Sequence, residues 1–201
     1  AYNEGNAVTP EITFADGFSS ENEKVIELLL SPDKFTLSYT ASGTGGLTPD
    51  GKPKFAGDYN VTVTRTNNNF TLGSDTELPF TVEKKIIEIA WDNTNMSWDT
   101  EKGSTRVIEA FRSDIMKIAE FIHQVSDITV GKEVSESLYT IGENNRVLTF
   151  KPNSTGRYTI RISLTDTANY KLSNQYSILL GGNDNNVILT LMVTGTKVDL
   201  S

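Results

Sequence analysis

Two stretches of the chain alternate apolar and polar residues in the same way. The first is Gly57–Thr64 and the second is Gly156–Ser163. Each begins its alternation on a tyrosine and continues with β-branched residues: Tyr59, Val61 and Val63 in the first, Tyr158, Ile160 and Ile162 in the second. This period of two, rich in β-branched side chains, is typical of a strand with one face in a core. Both stretches are therefore predicted to be half-buried strands.

The two stretches are copies of one pattern. Their tyrosines lie 99 residues apart, and the apolar positions that follow keep this spacing. Each tyrosine follows a glycine by two residues, where the chain is expected to turn into the strand. Each strand is followed by an Asn-aromatic pair, Asn69-Phe70 in the first copy and Asn169-Tyr170 in the second. A repeat of about 100 residues in a chain of 201 predicts a duplicated domain.

The predicted domains are residues 1–84 and 85–201, with a short polar linker at Glu83–Lys85. The second unit opens with an apolar strand at Ile86–Trp91 that has no counterpart after Ala1, so the first strand of the first unit is expected before Ala1. Further strands are predicted from runs of alternating or apolar residues: Phe35–Tyr39, Leu78–Val82, Ile128–Val130, Val147–Phe150, Tyr176–Leu180 and Val187–Val193. In the repeat, Ile128–Val130 overlays Phe35–Leu37.

The segment Ser104–Val125 departs from the strand pattern. Its apolar residues recur at spacings of three and four, which is the helical period, and it is rich in good helix formers. A short helix is therefore predicted for Asp114–Gln124. A buried strand is the alternative, because Lys117–Ile122 overlays Lys24–Leu29, an apolar run whose length suits either structure.

Composition excludes several classes of function. The net charge of −8 argues against binding nucleic acid or an anionic membrane surface. The chain has no cysteine, which excludes disulfides, thiolate zinc sites and catalytic thiols. A single histidine argues against a transition-metal site, and no apolar run reaches the length of a membrane span. No cofactor is predicted.

The candidates for chemistry are few. A Ser-His-Asp triad would have to use His123 with Asp127 or Asp114, but no nucleophile motif accompanies it, and His123 is expected at the edge of the core or on the surface. Oxygen ligands for calcium could come from three carboxylate pairs without EF-hand spacing: Asp16/Glu21, Asp92/Asp99 and Asp184/Asp199. Trp91 is expected in the core, whereas Trp98 is the candidate for sugar stacking or for packing at the domain junction. No catalytic, cofactor or metal residue is assigned.

The order of motifs resembles the MBG and YDG-type immunoglobulin-like repeats of bacterial surface and secreted proteins. The resemblance rests on Tyr2–Gly5, Phe35–Tyr39, Ala56–Thr64, Pro79–Lys85 and the Ile-x-Ile-x-Trp of Ile87–Trp91. It covers most of Tyr2–Trp91 and is weaker in the second unit, where Ser104–Val125 fits poorly. It implies two tandem immunoglobulin-like β-sandwiches, an extracellular location and no enzyme site. A Lys–Asn isopeptide cross-link, known in some surface domains of this kind, would need a lysine, an asparagine and a carboxylate buried together.

The function expected from these features is a non-catalytic extracellular module of a larger bacterial cell-surface or secreted protein, acting as a spacer or adhesive element. The alternative is a binding module that recognises a glycan or a host protein through end loops, with Gly43–Pro53 and Gly181–Asn186 as the variable loops. A monomer is expected.

Overall fold

The alternating sequences form β-strands in the computed structural model. The structure describes residues 1–10, 35–66, 77–91, 95–98, 105–109, 111–125, 128–130, 136–142, 147–173 and 183–195. In these residues the regular structure is β-strand, with one 3₁₀ turn at Glu136–Leu138. The protein is thus mainly β, with several sheets. None of the described residues form a helix long and apolar enough to cross a membrane. The chain divides into two units, residues 1–85 and 86–201.

The first unit contains a three-stranded antiparallel sheet. Its strands are β1 (Phe35–Ser42), β2 (Gly57–Arg65) and β3 (Glu77–Val82), in the order β1-β2-β3. Of the inward residues of the central strand, Tyr59 and Val61 are buried, at 1% and 6% exposed, and Val63 is half-buried. The alternation predicted for this strand is therefore confirmed.

The strands that follow are β4 (Lys85–Ile87), β5 (Ala90–Trp91), β6 (Asn95–Trp98), β7 (Arg106–Glu109), β8 (Met116–Val125), β9 (Ile128–Val130), β10 (Tyr139–Ile141), β11 (Leu148–Phe150), β12 (Gly156–Leu164), β13 (Tyr170–Leu172) and β14 (Asn186–Gly195). They form a four-stranded sheet in the order β10-β11-β7-β5, a five-stranded sheet in the order β6-β14-β12-β8-β9, and the pair β13-β4. Strand β6 runs parallel to β14, and the other strands of the five-stranded sheet pair antiparallel.

An aromatic cluster joins the two larger sheets of the second unit. Phe150 of the four-stranded sheet lies edge-on to Phe121 and Tyr158 of the five-stranded sheet, with ring centroids 5.6 and 5.3 Å apart. Such edge-to-face pairs stabilise a core beyond their burial. An apolar cavity of about 10 Å³ beside this cluster, between Ile118, Leu148 and Ile160, is at the lower limit for one water molecule and has no polar lining.

The helix predicted at Asp114–Gln124 is wrong. A turn at Arg112–Ile115 leads into the ten-residue strand β8, which pairs with β12 on one side and β9 on the other. The register of β8 against β12 shifts at Arg161/Ile162, so that Ala119 has no partner. This β-bulge places Ile118 and Phe121 on the same face, three residues apart, where a regular strand would space them by two. The helical spacing thus arose from a bulge and a turn, and sheet pairing overrode the helix propensity.

The overlay of Ile128–Val130 on Phe35–Leu37 is also wrong. Opposite Tyr59 the structure places Ala41 of β1 and Phe80 of β3. Opposite Tyr158 it places His123 of β8 and Leu191 of β14. The counterpart of β1 is therefore β8, and Ile128–Val130 forms the additional edge strand β9. Residues 24–29, onto which Lys117–Ile122 was overlaid, lie outside the described residues.

Candidate functional site

The hydroxyl group of Tyr59 braces the loop that precedes its own strand. It lies 2.9 Å from the carbonyl oxygen of Gly46 and 2.7 Å from that of Phe55, and it accepts hydrogen bonds from the amides of the same two residues at 3.0 and 3.2 Å. A buried tyrosine whose hydroxyl bonds to the backbone a few residues upstream is a tyrosine corner. It holds both ends of the Gly46–Phe55 hairpin against β2.

Tyr158 forms the same brace in the second unit. Its hydroxyl donates to the carbonyl oxygen of Ser154 at 2.9 Å and accepts from the amide of Ser154 at 3.2 Å. Side chains complete the set, with Ser154 Oγ at 2.9 Å and Asn153 Oδ1 at 3.3 Å. Both corners reach back four residues, to Phe55 and Ser154, so the two repeated stretches share the brace as well as the strand.

The glycine two residues before each tyrosine is required by close packing. Gly57 and Gly156 have φ angles of 149° and 130°, which L side chains rarely adopt. A Cβ atom on Gly57 would lie 2.8 Å from the amide nitrogen of Gly45, and one on Gly156 would lie 2.8 Å from Nε2 of His123 and closer still to the carbonyl oxygen of Gln124. The turn predicted at these glycines is thus also a point of backbone contact with a neighbouring segment.

The single histidine belongs to the second corner. His123 is 9% exposed and stacks on the ring of Tyr158 at 4.1 Å with an interplanar angle of 7°. Its Nε2 lies 2.9 Å from the carbonyl oxygen of Thr155 and 3.3 Å from Ser154 Oγ. A carbonyl oxygen only accepts, so Nε2 carries the proton in this hydrogen bond. In this arrangement Nε2 cannot take a proton from Ser154, and the histidine serves as a packing and hydrogen-bonding residue.

Asp114, one of the two triad candidates, is paired with arginine instead. Its carboxylate receives Arg112 Nη2 at 2.6 Å and Arg112 Nε at 3.3 Å, and Arg112 also lies over the ring of Tyr170. The hydrogen bond from Arg112 is the main cause that lowers the pKa of Asp114. The other candidate, Asp127, lies outside the described residues.

Replacing Asp114 with asparagine is expected to lower the stability of the second unit at pH 7 by at most about 1 kcal/mol, because the Asp114 side chain is 54% exposed and the Arg112 side chain is partly exposed. A lowered pKa stabilises the folded state above the unfolded value of about 3.9. This contribution disappears as the pH falls through the lowered folded pKa. Urea unfolding should therefore show a larger difference between the native chain and Asp114→Asn at pH 7 than at pH 2.5. An equal difference at both pH values would contradict the assignment.

Several sequence candidates lie wholly or partly outside the described residues. These are the carboxylate pairs Asp16/Glu21, Asp92/Asp99 and Asp184/Asp199, of which only Asp184 is described, and the side chains of Trp91 and Trp98. The described residues contain no group of three or more potential metal ligands. Among them the buried polar residues are His123 and Asn169, and Asn169 is held by Asp166 at 2.9 Å. No described lysine is buried beside that pair, so these residues do not provide the isopeptide arrangement.

The predicted variable loop Gly43–Pro53 is a tied hairpin. Leu47 forms a β-bridge with Pro53, and the amide of Thr48 donates to the carbonyl oxygen of Lys52 at 2.8 Å. Its exposed carboxylate, Asp50, has its pKa lowered mainly by a hydrogen bond with the Thr48 side chain. The hairpin is joined to the strand β2 by the Tyr59 brace. Only part of the second loop, Asn183–Asn186, is described, and it forms a turn in which Asn183 Oδ1 accepts from the amides of Asn185 and Asn186.

The two tyrosine strands also present outward faces that differ in chemistry. In the second unit the outer face is three cross-strand rows: Gln124–Arg157–Met192, Ile122–Thr159–Thr190 and Glu120–Arg161–Ile188. In the first unit the corresponding rows are Ser42–Asp58–Thr81, Thr40–Asn60–Pro79 and Ser38–Thr62–Glu77. When the two sheets are aligned on Tyr59 and Tyr158, Arg157 occupies the position of Asp58. In the same alignment, Ile188 occupies the position of Glu77. We call these sets the outer face of the second unit and the outer face of the first unit.

Sequence reasoning missed both the hydroxyl braces and the outer faces. The signal for the brace was present, since Gly57 and Gly156 stand two residues before the tyrosines and each tyrosine is followed by alternation. The outer faces required the cross-strand register, and a helix was predicted where β8 lies. Among the described residues the large apolar side chains that are exposed include no aromatic one. These residues therefore show no aromatic platform for a sugar.

No family model matches the chain, and no curated protein sequence matches it. The structure is similar to domains 3–5 of the extracellular part of Drosophila OTK, with 10% identity, coverage of 81% of this chain and 52% of that chain, and a TM-score of 0.26. It is also similar to the ectodomain of the teleost fish polymeric Ig receptor, with 10% identity, coverage of 82% and 86%, and a TM-score of 0.27. This chain spans about half the length of the OTK fragment. The fold assignment therefore rests on the strand order and register of the chain itself.

Proposed function

We propose that the chain is a non-catalytic extracellular module built from two tandem immunoglobulin-like β-sandwiches, residues 1–84 and 85–201, and that it acts as a spacer in a larger bacterial cell-surface or secreted protein. Strand order supports the fold of the second unit. The four-stranded sheet β5-β7-β11-β10 has the A-B-E-D order of immunoglobulin domains. The sheet β14-β12-β8-β9 has the order G-F-C-C′, with the tyrosine corner at the start of F.

The first unit repeats the central part of this arrangement. Its strands β1, β2 and β3 correspond to C, F and G, with the tyrosine corner again at the start of the middle strand. Two residues after each tyrosine, where antibody domains have a cysteine, the chain has Val61 and Ile160. Apolar packing takes the place of an inter-sheet disulfide in a chain without cysteine. The bacterial origin in this proposal follows from the resemblance of the sequence motifs.

The observation that carries the spacer function is the pair of tyrosine braces. Each ties the start of a central strand to the loop before it through a buried hydroxyl with several hydrogen bonds. A module that transmits force needs strands that stay paired under load, and such bonds must break together before the central strand can leave the sheet. Tyr59 and Tyr158 are only 0–1% exposed, so their side chains can hold the strands in place but are not accessible to a ligand.

Single-molecule force spectroscopy tests this proposal. The chain is pulled from its ends between two handles, and two separate unfolding events are expected, because each unit has its own core. At up to about 3.6 Å per extended residue, the contour length should increase by about 25–30 nm for the first unit and about 35–40 nm for the second. A single event of about 65–70 nm, or extension without force peaks, would contradict the proposal.

The runner-up function is recognition of a glycan or a host protein through the end loops. A binding screen against glycans and matrix proteins tests it, with the double variant Asp50→Ala/Lys52→Ala at the exposed tip of the hairpin, which keeps the Tyr59 brace. Loss of a binding signal in that variant would favour the binding module. The tied geometry of this hairpin gives it a fixed shape, which would suit recognition of one surface rather than many.

A further inference from the structure

We propose that the outer face of the second unit docks an extended acidic segment of a partner protein. This inference goes beyond the spacer function and is independent of it. The two outer faces can be compared position by position, because each consists of nine residues on three corresponding strands. The residues at these nine positions differ between the two units. The first unit shows what a solvated face of this sheet looks like, and the second departs from it.

The outer face of the first unit satisfies its own polar groups. Thr81 Oγ1 donates to Asp58 Oδ1 at 2.8 Å, and Asn60 Nδ2 donates to Glu77 Oε1 at 3.0 Å. It carries two carboxylates and no arginine, lysine or large aliphatic side chain. Charged and hydrogen-bonded residues on an exposed sheet face are the ordinary means of keeping it in water.

The outer face of the second unit combines aliphatic and cationic groups. Met192 is 40% exposed, Ile122 and Ile188 are half-buried, and Arg157 is exposed on the central strand. Arg161 is paired with Glu120 at 3.3 Å across the strands, while Arg157 makes no ion pair with another described residue. Replacing Asp58 and Glu77 by Arg157 and Ile188 removes two negative charges and adds a positive one. The whole chain has a net charge of −8, so the sign of the charge on this face is the reverse of that of the chain.

The position of the arginines selects the chemistry of the partner. Both lie on β12, four residues apart, which is about 13 Å along a strand. A second extended segment laid along β12 has the same repeat, so acidic residues at its positions i and i+4 can face the two arginines. The residue at i+2 then lies over Thr159, beside Ile122. Carboxylates at the ends and an apolar residue in the middle are therefore the complement of this face.

A second copy of this chain fits less well. A two-fold pairing of this face with itself about an axis through Thr159, along or across the central strand, sets an arginine of one β12 against an arginine of the other. Like charges placed together disfavour such pairing. A nucleic acid or another long polyanion is disfavoured by the charge of the whole chain. The face spans three strands about 4.8 Å apart, so its area is small and the docking is expected to be weak and reversible.

The test is an NMR titration of the ¹⁵N-labelled full chain with the peptide acetyl-ETVTE-amide, with acetyl-KTVTK-amide as the matched control. We expect saturable shifts of amides on β8, β12 and β14, none on β1–β3, and no saturable response to the lysine peptide. Arg157→Asp, which installs the residue found at this place in the first unit, should weaken binding about five- to tenfold. The effect should disappear at 1 M salt, where the screening length is about 3 Å.

The outcomes are separable. Absence of saturable shifts at 5 mM peptide, equal shifts with both peptides, or unchanged affinity of a folded Arg157→Asp variant would each overturn the proposal. Shifts of the same amides on raising the protein concentration without peptide would assign the face to a second copy and would also overturn it. Arg157 is exposed, so the variant is expected to fold, and its unshifted amide spectrum away from the face verifies this. None of these results changes the number of unfolding events expected under force.

Discussion

Replacing Gly156 with alanine is expected to destabilise the second unit by about 3–5 kcal/mol. The residue has a φ of 130°, and the added methyl group would lie 2.8 Å from His123 Nε2 and would collide with the carbonyl oxygen of Gln124. That carbonyl belongs to β8, which is held between β12 and β9 and has little freedom to move. The free-energy cost of the strained backbone at residue 156 therefore adds to the cost of overpacking against Gln124. Such a loss is a large part of the stability of an ordinary domain.

Both tryptophans of the chain, Trp91 and Trp98, are in the second unit, so their fluorescence during thermal unfolding reports on that unit. The expected decrease in its midpoint is about 10–20 °C. The control is Gly195→Ala in the same unit, since a Cβ atom there would lie 3.7 Å from Thr155, an ordinary van der Waals distance. That variant should leave the tryptophan transition in place. A decrease below about 3 °C for Gly156→Ala would show that the contact with β8 is not tight.

Replacing Tyr59 with phenylalanine is expected to cost about 2–3 kcal/mol, and the same change at Tyr158 about 1–2 kcal/mol. The Tyr59 hydroxyl contacts backbone groups of Gly46 and Phe55, which cannot turn to new partners once it is removed. Around Tyr158 the partners include the Ser154 hydroxyl and the exposed Asn153 side chain, which can rotate to water. The phenylalanine also keeps the stacking on His123. The first corner is thus expected to be the stronger brace.

Native-state hydrogen exchange measures both effects in one chain, because amides in β1–β2 report on the first unit and amides in β8–β12 on the second. Tyr59→Phe should speed exchange in β1–β2, and Tyr158→Phe should speed it less in β8–β12. Tyr39→Phe is a control: Tyr39 is also buried on the first sheet, and its pKa is raised by that burial alone, with no hydrogen bond among the causes. Equal losses at the two corners, or a greater loss at Tyr158, would contradict the expected order.

The strands were predictable where one face is buried and the pairing is regular. The alternation around Tyr59 and Tyr158 survives in β2 and β12 almost residue for residue, because side chains on a regular strand point alternately into and out of the core. Strand β8 could not be predicted in this way. Its bulge at Ala119 interrupts the period of two, and the resulting spacing imitates a helix.

The candidate site was less predictable than the fold. His123 was expected at the edge of the core or on the surface, and the structure places it at the core edge. Its stacking on Tyr158 and its bond to Thr155 were not predictable, because they join residues 32 and more apart in the chain. Likewise, nothing in the local pattern distinguishes Arg157 from a solvated arginine. The role proposed for Arg157 depends on the residues beside it on β8 and β14. These residues are placed there by the register between strands that are distant in the chain.

By itself the sequence determined that this protein is β-rich and without cysteine, since these are properties of local period and composition, and its spacing predicted a duplicated domain. It also placed Tyr59 and Tyr158 in the core, because they begin the inward-facing positions of their strands. The tertiary structure alone decided that their hydroxyls brace the preceding loops, that β8 rather than a helix lies beside β12, and that the two outer faces differ. The physical reason is that hydrogen bonds and cross-strand rows depend on the register of distant segments, and a one-residue bulge is enough to change it.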